Sequence, residues 1–137
     1  MYQTYRKGQI AVIKVQLRAA EKGYVVAFPT TEARYDMLLD DGKQIVRVQV
    51  KYGGTYNSKK VKGVAQVDLR KSTRGCSERR PYSKEEVDVV LVYLPQVEKI
   101  VWLDSDHFDL RASISLRFEK SKNNQQANVN DIDGLIW

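Results

Sequence analysis

The chain has 137 residues, with 23 Lys and Arg against 17 Asp and Glu, which gives a formal charge of +6. This length predicts a single domain over residues 1–137, and the basic balance favours a phosphate-rich partner and a merely basic surface equally. The one cysteine, Cys76, excludes an internal disulfide framework and a cysteine-based zinc site, and the one histidine excludes histidine-rich metal sites. No apolar run approaches the ~20 residues of a membrane span, and the first residues lack the apolar segment of a secretory signal. We therefore expect a cytoplasmic protein with no membrane partner.

The first predicted element is an amphipathic helix over residues 5–22. Ile10, Ile13, Leu17 and Ala20 recur at helical spacing, so we expect these four side chains to form the face that packs on the core. A glycine follows the helix directly and is typical of a C-terminal cap.

Three predicted strands follow the helix: a short buried strand over residues 24–28, and two more over residues 34–39 and 43–51. An Asp-Gly turn joins the last two and is typical of a β-hairpin. In the second hairpin strand, valines alternate with polar residues. We expect the valine face to pack on the core, so the other face, with Gln49 and Lys51, must have another role.

The rest of the chain is predicted to contain two basic loops and four further strands. The loops cover about residues 52–63 and 70–84, and the strands cover residues 64–69, 87–94, 99–103 and 113–118. The last strand is expected to end the compact part. The tail after it is polar until an apolar Leu-Ile-Trp end, which we expect to dock on the body or on a partner subunit. This order of elements predicts an α/β or α+β fold built around a mixed sheet.

Polar side chains can meet across the predicted hairpin. Asp36 stands in an otherwise apolar strand, and Gln49, Val50 and Lys51 follow on the neighbouring strand. Pairing around the turn brings Asp36 within reach of Gln49, and strand alternation puts Gln49 and Lys51 on one face. A carboxylate, an amide oxygen and the Val50 carbonyl form a hard oxygen site that suits Mg²⁺, and a nearby lysine can activate water and stabilise charge on a phosphate. The spacing alone is a weak pattern, and a solvent-facing Asp36 is the alternative.

A set of short motifs extends this pattern over about residues 7–118. The motifs are Lys7-Gly8, Gly23-Tyr24, Pro29, Arg34-Tyr35-Asp36, Val48-Gln49-Val50-Lys51, Pro81-Tyr82, Glu86-Val87-Asp88, Val92-Tyr93 and Ser115-Leu116-Arg117. In this order they resemble the PD-(D/E)XK family of group I intron-associated homing endonucleases, of the cyanobacterial type. The resemblance implies a restriction-endonuclease-like core, with a mixed β-sheet and flanking helices.

The resemblance also implies an activity and its residues. The expected reaction is hydrolysis of DNA phosphodiester bonds with Mg²⁺, for which Mn²⁺ can substitute. Asp36, Gln49 and the Val50 carbonyl are the implied metal ligands, and Lys51 is the implied catalytic lysine beside the catalytic Asp36 and Gln49. Gln49 replaces the usual Asp or Glu, which lowers the negative charge offered to the metal.

The first helix departs from the family pattern. Family members often place a Glu there to complete the metal site, but the corresponding slot near Ala11 and Val12 is apolar. Either Gln9 or Gln16 substitutes for that Glu, or the site binds metal weakly.

The two loops are the predicted DNA-binding surface. Between Gly53 and Lys84 the chain carries nine Lys and Arg against Asp68 and Glu78, a net charge of +7. A solvated surface loop is the alternative, but the cations are interleaved with Tyr, Asn, Ser and Thr side chains that can contact phosphates and base edges. The predicted DNA-binding residues are Tyr52, Tyr56, Asn57, Lys59, Lys60, Lys62, Arg70, Lys71, Arg74, Arg79, Arg80 and Lys84.

The favoured function is a site-specific double-strand homing endonuclease that associates with nucleoid DNA. Because one small site cuts one strand, we expect a homodimer or tetramer, assembled through residues 87–94, the segment around Trp102 or the apolar C-terminal end. The alternatives are a Holliday-junction resolvase or repair nuclease of the same fold and a catalytically impaired DNA-binding module. An RNA-binding protein is a weaker alternative.

Overall fold

The computed structural model describes residues 2–54, 63–72, 78–119 and 129–137. The elements, in chain order, are α1 (Tyr2–Glu21), β1 (Val25–Ala27), β2 (Met37–Asp40), β3 (Ile45–Tyr52), β4 (Val64–Asp68), β5 (Arg70–Ser72), β6 (Arg79–Pro81), β7 (Val89–Leu94), β8 (Lys99–Leu103), α2 (Ser105–Phe108), β9 (Ser113–Arg117) and β10 (Asn130–Asp131). Six predicted DNA-binding residues lie outside the described residues: Tyr56, Asn57, Lys59, Lys60, Lys62 and Arg74. Among the described helices, none is both long and apolar enough to cross a membrane.

A five-stranded mixed sheet forms the centre of the molecule, in the order β1-β2-β3-β7-β8. Strands β3 and β7 run parallel, and the other neighbours are antiparallel. Every residue of β7 is buried, as expected for a strand that is covered on both faces. This mixed sheet with few helices confirms the predicted α+β class.

The main sheet lies between two layers. Helix α1 packs on one face with Val48 and Val50, which confirms that the valine face of β3 joins the core. The other face packs against a small sheet of order β10-β9-β4. Gln49 and Lys51 pair with Val90 and Val92, whose side chains belong to this second core.

The hairpin between β2 and β3 forms as predicted. Its register pairs Met37 with Val48 and Asp40 with Ile45, and Asp36 lies in a bend directly before β2. The backbone N–H of Asp36 donates to the Val48 carbonyl at 2.8 Å, so Asp36 stays attached to β3 although it lies outside β2. The Asp-Gly turn is confirmed, with a φ of 90° at its glycine.

The prediction of the buried face of α1 was wrong. Ile13 and Leu17 are 59% and 57% exposed, whereas Ala11, Val15 and Ala19 are fully buried. The helix carries two apolar stripes, and the one with small side chains packs on the sheet because alanine lets the helix axis approach the strands closely.

Three further predictions also need correction. Residues 24–28 were expected to be buried, but β1 is an edge strand that is largely exposed, since it pairs only with β2. Residues 70–84 were expected to be a loop, but they contain the antiparallel hairpin β5–β6. The compact part does not end at β9, because Ile132 joins the second core.

The C-terminal segment docks on the body. Ile136 bridges to Val101, and the N–H of Trp137 donates to the Ile100 carbonyl at 2.9 Å. The Trp137 side chain is buried beside Tyr24 and Trp102. This contact confirms the first of the two docking partners that were expected for the apolar end.

An ion pair stabilises the start of the parallel pairing between β3 and β7. Arg47 contacts both oxygens of the Asp88 carboxylate, through Nε at 3.1 Å and Nη2 at 3.0 Å. The Arg47 backbone N–H donates to the same carboxylate at 2.7 Å, and the Asp88 N–H donates to the Arg47 carbonyl at 2.9 Å. These contacts hold the pKa of Asp88 below its usual range, chiefly through the hydrogen bond from the Arg47 side chain.

We expect Asp88→Asn to destabilise the fold near neutral pH but much less in acid. A lowered pKa contributes stability above the unfolded pKa of about 3.9, and this stability is lost as the pH falls through the folded value. Since both side chains are about one-third exposed, the effect should be about 0.5–1 kcal/mol. Urea unfolding near pH 7 and pH 3 tests this, with the exposed Asp133→Asn as control. An equal loss at both pH values would contradict it.

Candidate active site

The predicted site residues converge where β2 begins and β3 ends. Asp36 Oδ2 accepts the Val50 backbone N–H at 2.9 Å. In an antiparallel pair, the N–H and C=O of one residue point to the same neighbouring strand, so the Val50 carbonyl also opens toward Asp36. A carboxylate and a main-chain carbonyl therefore lie together on the first strand pair.

Gln49 is the only buried polar or charged side chain in the described part of the chain, at 5% exposure. Its Nε2 donates to the Val50 carbonyl at 3.4 Å, and its Oε1 has no hydrogen-bond partner. A buried acceptor without a donor costs about 1–3 kcal/mol. Such an atom is a ready ligand for an incoming hydrogen-bond donor or cation.

Lys51 extends from the same face and is held in a half-buried position. Its Nζ donates to the Arg70 carbonyl at 3.3 Å and lies 5.1 Å from the centre of the Tyr82 ring. Burial is the main cause that lowers the pKa of Lys51, and the nearby Arg79 adds to this, against the raising effect of Asp68. The ammonium is therefore easier to deprotonate than that of an exposed lysine.

The pKa of Asp36 is shifted in the opposite direction. Burial raises it, and this effect outweighs the lowering by the Val50 N–H and by the charges of Lys71 and Lys51. An acid and a base whose charged forms are both disfavoured by burial, side by side, are typical of a functional site.

Two further residues belong to the site, Tyr82 and Arg34. The Tyr82 ring is fully buried between Lys51 and the Arg34 guanidinium, which lies 4.9 Å from the ring centre. The Tyr82 hydroxyl has no hydrogen-bond partner, and burial raises its pKa. The sequence placed Tyr82 only among the loop side chains that can contact DNA, because its contact with Lys51 exists only once the β5–β6 hairpin folds.

Arg34 attaches the β5–β6 hairpin to the site. Its guanidinium donates to the carbonyls of Lys71, Arg80 and Pro81 at 3.0–3.1 Å. Its Nε lies 3.0 Å from the Glu86 carboxylate. Because Arg34 is two residues before Asp36, these contacts hold the basic hairpin beside the carboxylate.

The hairpin presents four of the predicted DNA-binding cations around the site. Arg79 and Arg70 share the Asp68 carboxylate at 2.7 and 3.1 Å, and Arg80 pairs with Glu86 at 3.1 Å. Lys71 donates to the Ala33 carbonyl at 3.3 Å. Four cations face two carboxylates here, so the surface beside the site keeps a positive charge.

Two further predicted DNA-binding residues lie away from the hairpin. Tyr52 packs on the α1 side of the sheet, edge-on to Tyr93 at 5.9 Å, on the face opposite Lys51. Lys84 is exposed on the segment before β7, where Asp109 accepts its backbone N–H. DNA contact by these residues and by the hairpin stays a prediction.

The residues present can accommodate a hard divalent cation. The unpartnered Gln49 Oε1, the Asp36 carboxylate and the Val50 carbonyl are all oxygen donors, which Mg²⁺ prefers. The set holds one carboxylate, and the described residues contain no cluster of three or more His, Cys, Asp or Glu. Ala11 is fully buried in the contact between α1 and the main sheet, on the face opposite Gln49 and Lys51, so the apolar slot near Ala11 does not face the side chains of those two residues.

Comparisons with known proteins agree with this fold. A family model described as PD-(D/E)XK endonuclease matches residues 2–135. The chain is also similar to the solved structure of a bacterial homing endonuclease, I-Ssp6803I, with 27% sequence identity and a TM-score of 0.70, over 90% of this chain and 82% of that chain. No curated protein shows a significant match. Because the family model spans nearly the whole chain, the protein belongs to the PD-(D/E)XK endonuclease family.

Proposed function

We propose that the protein is a homing endonuclease that cuts both strands of a specific DNA site with Mg²⁺, or with Mn²⁺ in its place. The observation that carries this proposal is the buried, unpartnered Oε1 of Gln49 beside the Asp36 carboxylate. The family and the similarity to a bacterial homing endonuclease support it. We place its action in the cytoplasm, on nucleoid DNA.

Asp36, Gln49 and the Val50 carbonyl would hold the cation. When bound there, it would supply a Lewis acid to the phosphate and lower the pKa of a coordinated water. Asp36 is already oriented by the Val50 N–H at 2.9 Å, so it needs no rearrangement to offer its second oxygen. A bound cation would add to the charges of Lys71 and Lys51 in favouring the ionised form of Asp36, which burial disfavours.

Lys51 would act on the scissile phosphate from the same face. Its Nζ is directed by the Arg70 carbonyl and the Tyr82 ring, which restrict where the ammonium can lie. A positive charge in a half-buried site stabilises a developing negative charge more strongly than it would in water. Its lowered pKa also makes proton exchange with an attacking water easier.

Double-stranded DNA would lie across the β5–β6 hairpin. Arg79 and Arg80 are 51% and 61% exposed at their side chains, and both can leave a carboxylate for a phosphate. Since one site cuts one strand, a double-strand break requires at least two copies of the chain, as a dimer or tetramer.

One observation favours a second candidate function. Among the described residues the site has one carboxylate, and α1, which packs on the opposite face of the sheet, adds no acidic side chain to it. A protein with the same DNA surface and a metal site too weak for cleavage would be a DNA-binding module. The same experiment separates the two functions.

We expect Mg²⁺-dependent cleavage that Asp36→Asn and Lys51→Met each reduce by at least about 100-fold. Asp36→Asn removes the carboxylate charge, and Lys51→Met removes the ammonium with little change in shape. The assay is cleavage of plasmids with a randomised insert, with and without Mg²⁺. Asp133→Asn and Lys43→Met, both exposed, are the matched controls. Binding to one enriched sequence without any cut would support the DNA-binding module, and cuts only at branched DNA would support a resolvase.

DNA binding should weaken steeply with salt, and the hairpin cations should account for part of the slope. Each phosphate contact contributes a slope of about 0.9 in a plot of log K against log salt. We expect the double variant Arg79→Gln, Arg80→Gln to reduce this slope by about 2. Binding is measured without Mg²⁺, so that DNA stays intact. The Lys43→Gln variant should keep the original slope, and an unchanged slope in the double variant would remove the hairpin from the interface.

Tyr82 should act through its ring and not through its hydroxyl. We expect Tyr82→Phe to keep cleavage and to match or exceed the stability of the original chain, because it removes an unpartnered buried hydroxyl. Tyr82→Leu removes the ring beneath Lys51 and should lower stability by about 1–3 kcal/mol and slow cleavage. Thermal unfolding and the cleavage rate are compared for both. An inactive but folded Tyr82→Phe protein would show that the hydroxyl contacts the substrate.

A further inference from the structure

The outer face of α1 carries a row of apolar side chains that the described fold leaves uncovered. Ile10, Ile13 and Leu17 are 37%, 59% and 57% exposed, respectively. Spacings of three and four residues align them on one side of the helix, opposite the buried alanines. Ile136, which is 41% exposed, shares a surface depression with Leu17 and extends the row. Scattered apolar residues are ordinary on a surface, but a continuous row indicates a contact with another molecule.

Four basic side chains in or directly after α1 contact the body of the protein and not this row. Each of three lysines lies over an aromatic ring at the flank of the helix: Lys7 over Tyr52 at 5.7 Å, Lys14 over Tyr93 at 5.6 Å and Lys22 over Trp137 at 5.4 Å. Arg18 donates to the Trp137 carbonyl at 3.2 Å. These contacts tie the charges to the body of the protein. The outer row is therefore left apolar along its length.

Opposite charges lie at the two ends of the row. Arg6 precedes Ile10 by four residues, and Glu21 follows Leu17 by four residues. Both side chains are exposed, and neither makes a side-chain hydrogen bond or ion pair with any described residue. At 100° per residue, these four positions share one narrow face of the helix. The pattern is symmetric: reversing the helix exchanges Arg6 with Glu21 and Ile10 with Leu17.

We propose that this row binds α1 of a second copy of the chain, with the two helices antiparallel about a two-fold axis. Ile10 then packs on Leu17 of the partner subunit, and Ile13 lies near the axis. Arg6 faces the partner's Glu21, and the same pair repeats at the other end. Such a self-complementary contact is the usual form of a two-fold interface.

The α1 contact differs from the pairing of two active sites that a double-strand break requires. Gln49 and Lys51 lie on the face of the main sheet opposite α1. Two copies joined through α1 therefore direct their candidate sites away from each other. This contact joins two copies of the chain through the faces opposite their candidate sites, and it does not depend on the proposed function.

Sedimentation of the full chain without DNA tests the contact. We expect Ile13→Asp and Leu17→Asp each to halve the mass of the assembly, whether from tetramer to dimer or from dimer to monomer, while circular dichroism shows an intact fold. Val25→Asp and Ile45→Asp are matched controls, since these residues are 65% and 61% exposed on the main sheet. Both controls should keep the original mass. A monomeric original chain at about 100 µM, well above the dissociation constant of a stable interface, or an unchanged mass in both α1 variants, would overturn the proposal.

Exchanging the end charges tests the antiparallel register. Arg6→Glu and Glu21→Arg should each weaken association by about fivefold or more, because each places like charges together at both ends. The double variant restores opposite charges and should recover most of the affinity. Failure of the double variant to recover, with both single variants weakened, would rule out this register. Cleavage by the same proteins is measured separately, so loss of nuclease activity leaves this result unaffected.

Discussion

Alternation along β3 is the constraint on which the rest of the molecule depends. Val48 and Val50 point to α1 and form the core there, while Gln49 and Lys51 point to the other face and form the candidate site. A shift of β3 by one residue against β2 would exchange the two faces, burying the lysine under the helix and removing the valines from it. The Asp-Gly turn holds this register against β2, and the Arg47–Asp88 pair holds the start of the pairing between β3 and β7. Stability and site geometry are thus set by the same pairing.

The side chains of the candidate site lower the stability of the folded protein. Burial disfavours the ionised carboxylate of Asp36 and the ammonium of Lys51, and Gln49 keeps a buried oxygen without a partner. The Val50 N–H and the Arg70 carbonyl offset only part of this cost. A divalent cation and a phosphate would supply the missing partners, so the unfavourable state of the free site and the proposed chemistry have the same physical origin.

Two elements packed on the main sheet, the β5–β6 hairpin and α1, form the exposed surfaces that are proposed to bind other molecules. Arg34 binds three carbonyls of the β5–β6 hairpin and so holds this basic hairpin beside the site. Tyr82, the residue directly after the hairpin, packs beneath Lys51. On the other side of the sheet, α1 buries its small side chains and leaves Ile13 and Leu17 outside. The described molecule therefore has a basic surface beside the site and a row of exposed apolar side chains on the other side of the sheet.

The sequence by itself determined the features that depend on near neighbours: the helix, the hairpin turn, the alternation of β3 and the approach of Asp36 to the end of β3. These follow from the backbone period and from turn residues a few positions apart. Only the tertiary structure decided which stripe of α1 is buried, because both stripes have helical spacing and the choice depends on the shape of the sheet they meet. It also decided that residues 70–84 fold as a hairpin, since Arg34 lies more than thirty residues away from the carbonyls it binds. The position of Tyr82 under Lys51 depends on that long-range contact, so no local pattern could reveal it.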